Sequence, residues 1–133
     1  MIDHKNSEQS IHVVVVEDND SIISCLKLQL PPYLRLIIFP NAEDALKYIL
    51  NNIADVELII VDHMLPGMTG MQLVSIIKKN PGLQHLRIIL QSAYDCQDLI
   101  KTYGARPDFY LQKPYTSQQM KSAVEQTLGL RAI

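Results

Sequence analysis

The sequence has no excess of basic residues. Its 133 residues contain 12 Lys and Arg against 14 Asp and Glu, a formal net charge of -2, and Lys and Arg form no cluster. A domain that binds nucleic acid or an anionic membrane surface needs a basic excess to neutralise phosphates. We therefore predict that this protein makes no direct contact with nucleic acid.

Cysteine and long apolar runs are also scarce. The two cysteines, Cys25 and Cys96, have neither metal-type nor redox-type spacing, so we expect a reduced, buried pair rather than a disulfide. The first ten residues are polar and contain no signal peptide, and the longest apolar runs fall far short of a membrane span. These features predict a cytoplasmic domain without membrane insertion, either stand-alone or excised from a larger protein.

The composition that is present suits one folded domain. Hydrophobic residues make up 47% and charged residues 20%, and 133 residues are enough for a single core. No internal repeat, glycine-rich phosphate loop or dinucleotide fingerprint occurs, which excludes the nucleotide-binding α/β folds. We predict a polar tail over residues 1–10, one domain over residues 11–130, and a short end over residues 131–133.

Five short runs rich in β-branched residues predict five strands. Val13–Val16 is continuously apolar, which is typical of a strand buried on both faces. The second and fifth runs are more mixed, which favours edge positions. The four further predicted strands are Leu34–Phe39, Leu58–Val61, Ile88–Leu90 and Phe109–Leu111.

The segments between the strands have apolar residues every three or four positions, which predicts five amphipathic helices. Pro31 and Pro32 end the first helix, and Asn41 is the expected N-cap of the second. The fourth helix, near Leu99, is short. The last begins with a capping box and ends at a glycine, and the residues concerned are Thr116, Gln119 and Gly129.

Strict alternation of strand and helix predicts an α/β fold, a doubly wound parallel sheet of five strands with five helices. Five strands suit the flavodoxin-like order 2-1-3-4-5. In such sheets ligands bind beyond the carboxyl ends of the strands. Glu17 and Asp18 follow the first strand, Asp62 the third, Ser92 the fourth and Lys113 the fifth. We therefore expect these five side chains to lie close together.

The expected cluster has the chemistry of a phosphoryl acceptor. Three neighbouring carboxylates repel one another unless a cation joins them, and Mg²⁺ prefers oxygen ligands. Lys113 and Ser92 can neutralise and hydrogen-bond a phosphoryl group, which equips Asp62 to attack phosphorus. Taken singly, each residue is better explained as a loop, cap or surface residue, but the fold places all of them at one edge.

These segments resemble the receiver domain of two-component response regulators. The matching residues are Glu17-Asp18, the run Asp62-His63-Met64-Leu65-Pro66-Gly67-Met68-Thr69-Gly70, Ser92-Ala93 and Lys113-Pro114, all in order and within residues 11–130. The resemblance implies that Asp62 accepts a phosphoryl group from a histidine kinase or a histidine phosphotransfer protein. It further implies that Asp18, Asp62 and the backbone carbonyl of Met64 ligate Mg²⁺, with Glu17 acting through water.

The resemblance also implies a switch. Ser92 would move to the phosphoryl group, Lys113 would pair with it, and Tyr110 would turn inward. For Tyr110 we favour this switch role over the alternative of a half-buried aromatic on an edge strand. A downstream protein or output domain would then recognise the fourth helix, fifth strand and fifth helix, a face that could also form a homodimer. Pro114 corresponds to a proline that often follows a cis peptide bond.

Two departures from the family pattern carry predictions. Met64 and Tyr94 stand at positions that influence attack of water on the phosphoaspartate, and neither side chain orients water, so we expect slow autodephosphorylation. The segment 104–113 is about two residues longer than usual, with Arg106-Pro107 as the apparent insertion, so we expect an unusual output face.

Two other functions stay open at this point. One is an adaptor that no longer takes phosphate, and the other is a Mg²⁺-dependent phosphatase, which usually carries an acid where this chain has Met64. We predict a switch with weak autophosphatase activity at most. The histidines have no ligand spacing, and we expect none to be functional; they are His4, His12, His63 and His85.

Overall fold

The computed structural model describes residues 10–129, so nearly all of the predicted tail, His4 and the end 131–133 lie outside the described residues. The strands are β1 (Ile11–Val16), β2 (Leu34–Phe39), β3 (Val56–Asp62), β4 (Arg87–Ser92) and β5 (Phe109–Gln112). The helices are α1 (Asp20–Gln29), α2 (Ala42–Asn51), α3 (Gly70–Lys78), α4 (Cys96–Tyr103) and α5 (Ser117–Leu128), with a 3₁₀ turn at Pro81–Leu83.

The five strands form one parallel sheet in the order β2-β1-β3-β4-β5, as predicted. The second and fifth strands lie at its edges. Strand order reverses beside β1, so the carboxyl ends of β1 and β3 border a crevice at that edge of the sheet.

Alternation along the strands divides the core into two layers. On one face Val14, Val16 and Ile59 pack with α2, α3 and α4. On the other face Val13 and Val15 pack with α1 and α5. All residues of Val13–Val16 are fully buried, which confirms the prediction of a strand covered on both sides.

Local capping follows the sequence closely. The side chain of Asn41 accepts a hydrogen bond from the N–H of Asp44 and begins α2. Thr116 and Gln119 form the predicted capping box of α5, which ends at Gly129 with φ +73°. The Lys113–Pro114 peptide bond is cis.

The prediction that the cysteines are buried is wrong. Both thiols are free, but Cys25 is exposed and Cys96 is half-buried. Cys25 directly precedes Leu26, which is buried against the sheet. Successive residues are about 100° apart around a helix. The side chain of Cys25 therefore leaves the buried stripe of α1.

The segment between α4 and β5 is anchored by Asp108. Its Oδ2 atom accepts hydrogen bonds from the Ile88 N–H at 2.7 Å and from Lys78 Nζ at 2.8 Å. Pro107, in the apparent insertion, is buried. Among the described helices α4 is the shortest, with 8 residues. Of the two added residues, Pro107 is therefore packed into the domain, whereas Arg106 is exposed.

Candidate functional site

Three carboxylates meet at the carboxyl ends of β1 and β3. Oxygen atoms of Glu17, Asp18 and Asp62 all lie within 4.8 Å of one another, close enough to share one cation. Glu17 and Asp62 are buried, whereas Asp18 is exposed. The strand ends thus bring together the acidic residues that the sequence predicted.

Lys113 provides the positive charge of this cluster. Its Nζ atom donates a hydrogen bond to Asp62 Oδ1 at 3.0 Å, and its backbone N–H donates to the Ser92 carbonyl at 2.8 Å. The Asp62 side chain is 7% exposed and the Lys113 side chain 29% exposed. Lys113 is therefore held beside both β3 and β4, with its ammonium group against the buried carboxylate.

The charged form of Glu17 is disfavoured by its surroundings. Burial, followed by the charge of Asp62, raises its pKa from 4.5 to about 7. Three smaller effects act on this pKa. The hydrogen bond from the Asn19 N–H and the charge of Lys113 lower it, and the charge of Asp18 raises it. A carboxyl whose pKa is raised by other carboxylates is stabilised in its charged form when a cation binds between them.

The donor set fits a hard divalent cation. Carboxylate oxygens are the ligands that Mg²⁺ prefers, and the exposed Asp18 leaves one side of the cluster accessible. Met64, the predicted source of a backbone ligand, lies two residues after Asp62, and its side chain is 58% exposed. The Met64 side chain is therefore not packed over the carboxylates.

Ser92 and Tyr110 meet at the segment that follows β4. The Ser92 Oγ atom accepts a hydrogen bond from the Tyr94 N–H at 3.0 Å. The Tyr110 hydroxyl donates to the carbonyls of Ser92, at 3.3 Å, and Tyr94. Burial raises the pKa of Tyr110, which keeps that hydroxyl protonated and able to donate. Tyr110 and Ser92 are thus linked through one short loop.

Sequence reasoning passed over two polar residues of the site, Gln91 and Tyr115. The fully buried Gln91 donates from Nε2 to Glu17 Oε1 at 2.9 Å and accepts a hydrogen bond from the Tyr115 hydroxyl. Burial, followed by the charges of Glu17 and Asp62, raises the pKa of Tyr115 to about 12. The sequence contains a signal for Gln91, which directly follows the predicted strand Ile88–Leu90 and precedes Ser92, at the edge where the site was expected.

His63 is more involved in the site's surroundings than its spacing suggested. Its Nδ1 atom accepts a hydrogen bond from the Met71 N–H at 3.3 Å. Its ring stands edge-on to the rings of Tyr94 and Tyr103, at centroid distances of 5.8 and 5.6 Å. Burial lowers its pKa, against an opposing effect of Asp62. A neutral ring that packs and accepts one backbone bond agrees with the expected structural role.

The family model described as the response regulator receiver domain matches residues 13–125. The chain belongs to this family. The receiver domain is 27% identical over 125 residues to the two-component response regulator ARR16 of Arabidopsis thaliana, covering 84% of this chain and 76% of that protein. It is 31% identical over 107 residues to the response regulator ORR13 of Oryza sativa subsp. japonica, covering 79% and 88%.

Solved structures share the fold of this receiver domain. A putative response regulator from Chloroflexus aurantiacus superposes with a TM-score of 0.79 at 26% identity, covering 91% of this chain and 99% of that one. The phosphorylated cyanobacterial phytochrome response regulator RcpA superposes with a TM-score of 0.76 at 21% identity, covering 92% and 96%.

Membership places the chain in two-component signal transduction as a switch domain. Receiver domains generally bind Mg²⁺ through an acidic pocket, and in this one Glu17, Asp18 and Asp62 form such a cluster. Receiver domains act with histidine kinases and output domains, and generally are not enzymes. Across residues 10–129, no helix combines the length and the apolar character needed to cross a membrane.

Proposed function

We propose that this receiver domain accepts a phosphoryl group on Asp62 from a histidine kinase or histidine phosphotransfer protein, in a Mg²⁺-dependent reaction that switches a protein-binding face. The observation that carries the proposal is the convergence of three carboxylates within 4.8 Å beside an ammonium group 3.0 Å from Asp62. Such a cluster is costly without a ligand, because like charges are held together at a partly buried edge.

Asp18 and Asp62 would hold Mg²⁺ together with the backbone carbonyl of Met64, and Glu17 would act through water. When bound, Mg²⁺ neutralises negative charge on the carboxylates and on the incoming phosphoryl oxygens. Lys113 already contacts Asp62 and supplies a second positive charge at the same place. The two cations together offset the repulsion between an anionic nucleophile and an anionic donor.

Asp62 acts as the nucleophile. One of its carboxylate oxygens attacks phosphorus, an O–P bond forms, and the P–N bond of the donor phosphohistidine breaks with its electron pair returning to the imidazole. Lys113 and the Ser92 hydroxyl bind phosphoryl oxygens once transfer is complete. The Ser92 Oγ now accepts a hydrogen bond from the Tyr94 N–H, so a displacement of Ser92 toward the phosphoryl group would disturb this loop.

Tyr110 would carry the change to the surface. Its hydroxyl is bonded to the carbonyls of Ser92 and Tyr94, so a movement of their loop alters the position of this ring on β5. The face formed by α4, β5 and α5 then differs between two states that a downstream protein, an output domain or a second copy of this chain can distinguish. The domain has no catalytic activity on other substrates, and it loses its own phosphoryl group only slowly.

The proposal is tested by intact-mass measurement. The protein is incubated with acetyl phosphate in the presence of Mg²⁺ or of EDTA. We expect one added phosphoryl group with Mg²⁺ and none with EDTA. Asp62→Asn is the matched variant, because it keeps the size of the side chain and removes the charged nucleophile, and we expect it to remain unmodified.

Three results would contradict the proposal. A wild-type protein that gains no mass with Mg²⁺ and acetyl phosphate would be an adaptor that no longer takes phosphate. Steady release of phosphate from simple phosphomonoesters would identify a phosphatase with an aspartyl intermediate. Modification of Asp62→Asn to the same extent as the wild type would place the acceptor elsewhere.

A further inference from the structure

A chain of three hydrogen-bonded side chains, two of them buried, reaches the acidic cluster from the face of the sheet that α1 and α5 cover. The Tyr115 hydroxyl donates to Gln91 Oε1, and Gln91 Nε2 donates to Glu17 Oε1 at 2.9 Å. Gln91 is 0% exposed and Glu17 1% exposed, and Tyr115 is half-buried. The chain begins outside the carboxylate cluster and ends on one of its members.

The register of the sheet explains why Gln91 can reach the cluster. Gln91 in β4 is the Cα partner of Asp62 in β3, and in-register neighbours of parallel strands direct their side chains to the same face. The preceding residues of equal parity, Ile60 and Ile89, belong to the apolar layer under α1 and α5. Gln91 is therefore a polar side chain at the end of an apolar row, beside the carboxylates.

Both carboxylate oxygens of Glu17 are held. The Gln91 amide donates to Oε1, and the Asn19 N–H donates to Oε2 at 3.2 Å. Two donors on opposite oxygens fix the rotation of the carboxylate as well as its position. Tyr115 fixes the amide in turn, because reversing it would turn the carbonyl oxygen of Gln91 toward the Glu17 carboxylate and the NH₂ group toward the Tyr115 hydroxyl.

We propose that Gln91 is a positioning residue of the cation site, held by Tyr115, and that it acts by orienting Glu17 toward the ion. The inference rests on the proposed Mg²⁺ site. It adds two residues, Gln91 and Tyr115, that support a carboxylate of the site and belong to none of the family motifs quoted above. Partners of this kind, which contact a ligand and not the metal, typically change metal affinity by about tenfold or more when removed. Filling the core does not require them, since an apolar pair of similar volume would serve that purpose.

The experiment measures Mg²⁺ affinity by isothermal titration calorimetry and, separately, the free energy of unfolding in EDTA. The variants are Gln91→Met, Tyr115→Phe and the double variant. Gln91→Met keeps the volume and removes the donor to Glu17, and we expect Mg²⁺ binding to weaken by about tenfold. Tyr115→Phe keeps the ring and frees the amide, so we expect a smaller loss of a few-fold.

The double variant separates positioning from simple packing. The double variant has no unpaired Tyr115 hydroxyl, so the part of the stability loss in Gln91→Met that this hydroxyl causes should return. Mg²⁺ affinity should remain as weak as in Gln91→Met, because Glu17 still lacks its donor. Tyr48→Phe is the matched control, since it removes a hydroxyl on α2, where the ring packs against Phe39, and should leave Mg²⁺ affinity unchanged.

Three results overturn the inference. If the Mg²⁺ affinity of both single variants stays within about twofold of that of the wild type, Gln91 and Tyr115 have a packing role only. A double variant that regains both stability and affinity would assign the loss in Gln91→Met to the unpaired Tyr115 hydroxyl. A wild-type protein that binds no Mg²⁺ would remove the proposed function itself, and the inference with it.

Discussion

Gly70 lies against the backbone of Asp62 so closely that no side chain fits between them. A Cβ atom at position 70 would lie 2.4 Å from the Asp62 carbonyl oxygen and 2.8 Å from the Cα of His63. The Gly70 N–H also donates to the His63 carbonyl at 3.0 Å. The first residue of α3 is therefore part of the support that holds Asp62, the proposed phosphoacceptor, at the end of β3.

Gly70→Ala should destabilise the domain and misplace Asp62. The obstructing atoms belong to the backbone, so they yield only if the loop or α3 moves, at a cost of about 1–3 kcal/mol. We expect this loss in urea denaturation, together with slower phosphorylation by acetyl phosphate in the fraction that is folded.

Gly82→Ala is the control for Gly70→Ala. A Cβ atom there would meet only the flexible Asn80 side chain, at 3.4 Å, on an exposed turn. We expect its stability to stay within about 0.5 kcal/mol of the wild type. Equal effects of the two substitutions would show that the contact with Asp62 is not what requires glycine at position 70.

Glu17 should make the metal-free domain less stable as the pH rises. Its pKa is raised from 4.5 to about 7, so the folded state holds the proton more firmly than the unfolded chain does. The stabilising contribution is complete below about pH 4.5 and is lost as the pH rises to about 7. Repulsion from Asp62 and burial of the charged carboxylate are the causes.

Glu17→Gln tests this dependence, because the amide resembles the protonated carboxyl at every pH. In EDTA, the free energy of unfolding of the variant minus that of the wild type should increase between pH 4.5 and 7. We expect a total change of about 1–3 kcal/mol, measured by urea denaturation at several pH values. A difference independent of pH would show that Glu17 ionises as an ordinary exposed glutamate does.

The phosphoryl group on Asp62 should be long-lived. Met64 lies two residues after Asp62, and Tyr94 lies two residues after Ser92. They are 58% and 51% exposed, and neither side chain has an acid or amide group that could orient water. The Tyr94 ring also stands against His63, the neighbour of Asp62. Introducing groups that position water, with Met64→Asn and Tyr94→Glu together, should shorten the half-life by about tenfold or more.

The half-life is followed by intact mass after removal of acetyl phosphate. Tyr94→Phe keeps the ring and loses only the hydroxyl, so this control should leave the half-life unchanged. An unaltered half-life in the double variant would count against the hypothesis that these residues limit hydrolysis.

Asp108 should matter mainly as an acceptor for the Ile88 N–H. Asp108→Ala leaves this N–H without its 2.7 Å acceptor and should cost about 1–3 kcal/mol of stability. Asp108→Asn keeps an acceptor and loses only the charge that pairs with Lys78. That ion pair is about one third exposed, so its loss should cost less than about 1 kcal/mol. Thermal or urea denaturation of both variants distinguishes the two contributions, and equal losses would show that the ion pair dominates.

The local elements could be predicted because their causes are local. Val13–Val16 can be buried only as a central strand, and the caps at Asn41 and Thr116 depend on residues three positions away. The exposure of Cys25 could not be predicted in the same way. Its exposure depends on the rotation of α1 about its axis, which packing against the sheet decides.

The proposed phosphorylation site also combines locally encoded features with features that depend on packing. The sequence alone determined that three carboxylates, a hydroxyl and a lysine follow the strands of a parallel sheet, because strand order and alternation are encoded in short apolar runs. It did not reveal that Gln91 and Tyr115 join that site. Their connection spans 24 residues and depends on the register of β3 and β4 and on where the chain passes after β5. Only the tertiary structure decides such a contact, because hydrogen bonds between distant segments follow from how the elements pack and not from the spacing of residues along the chain.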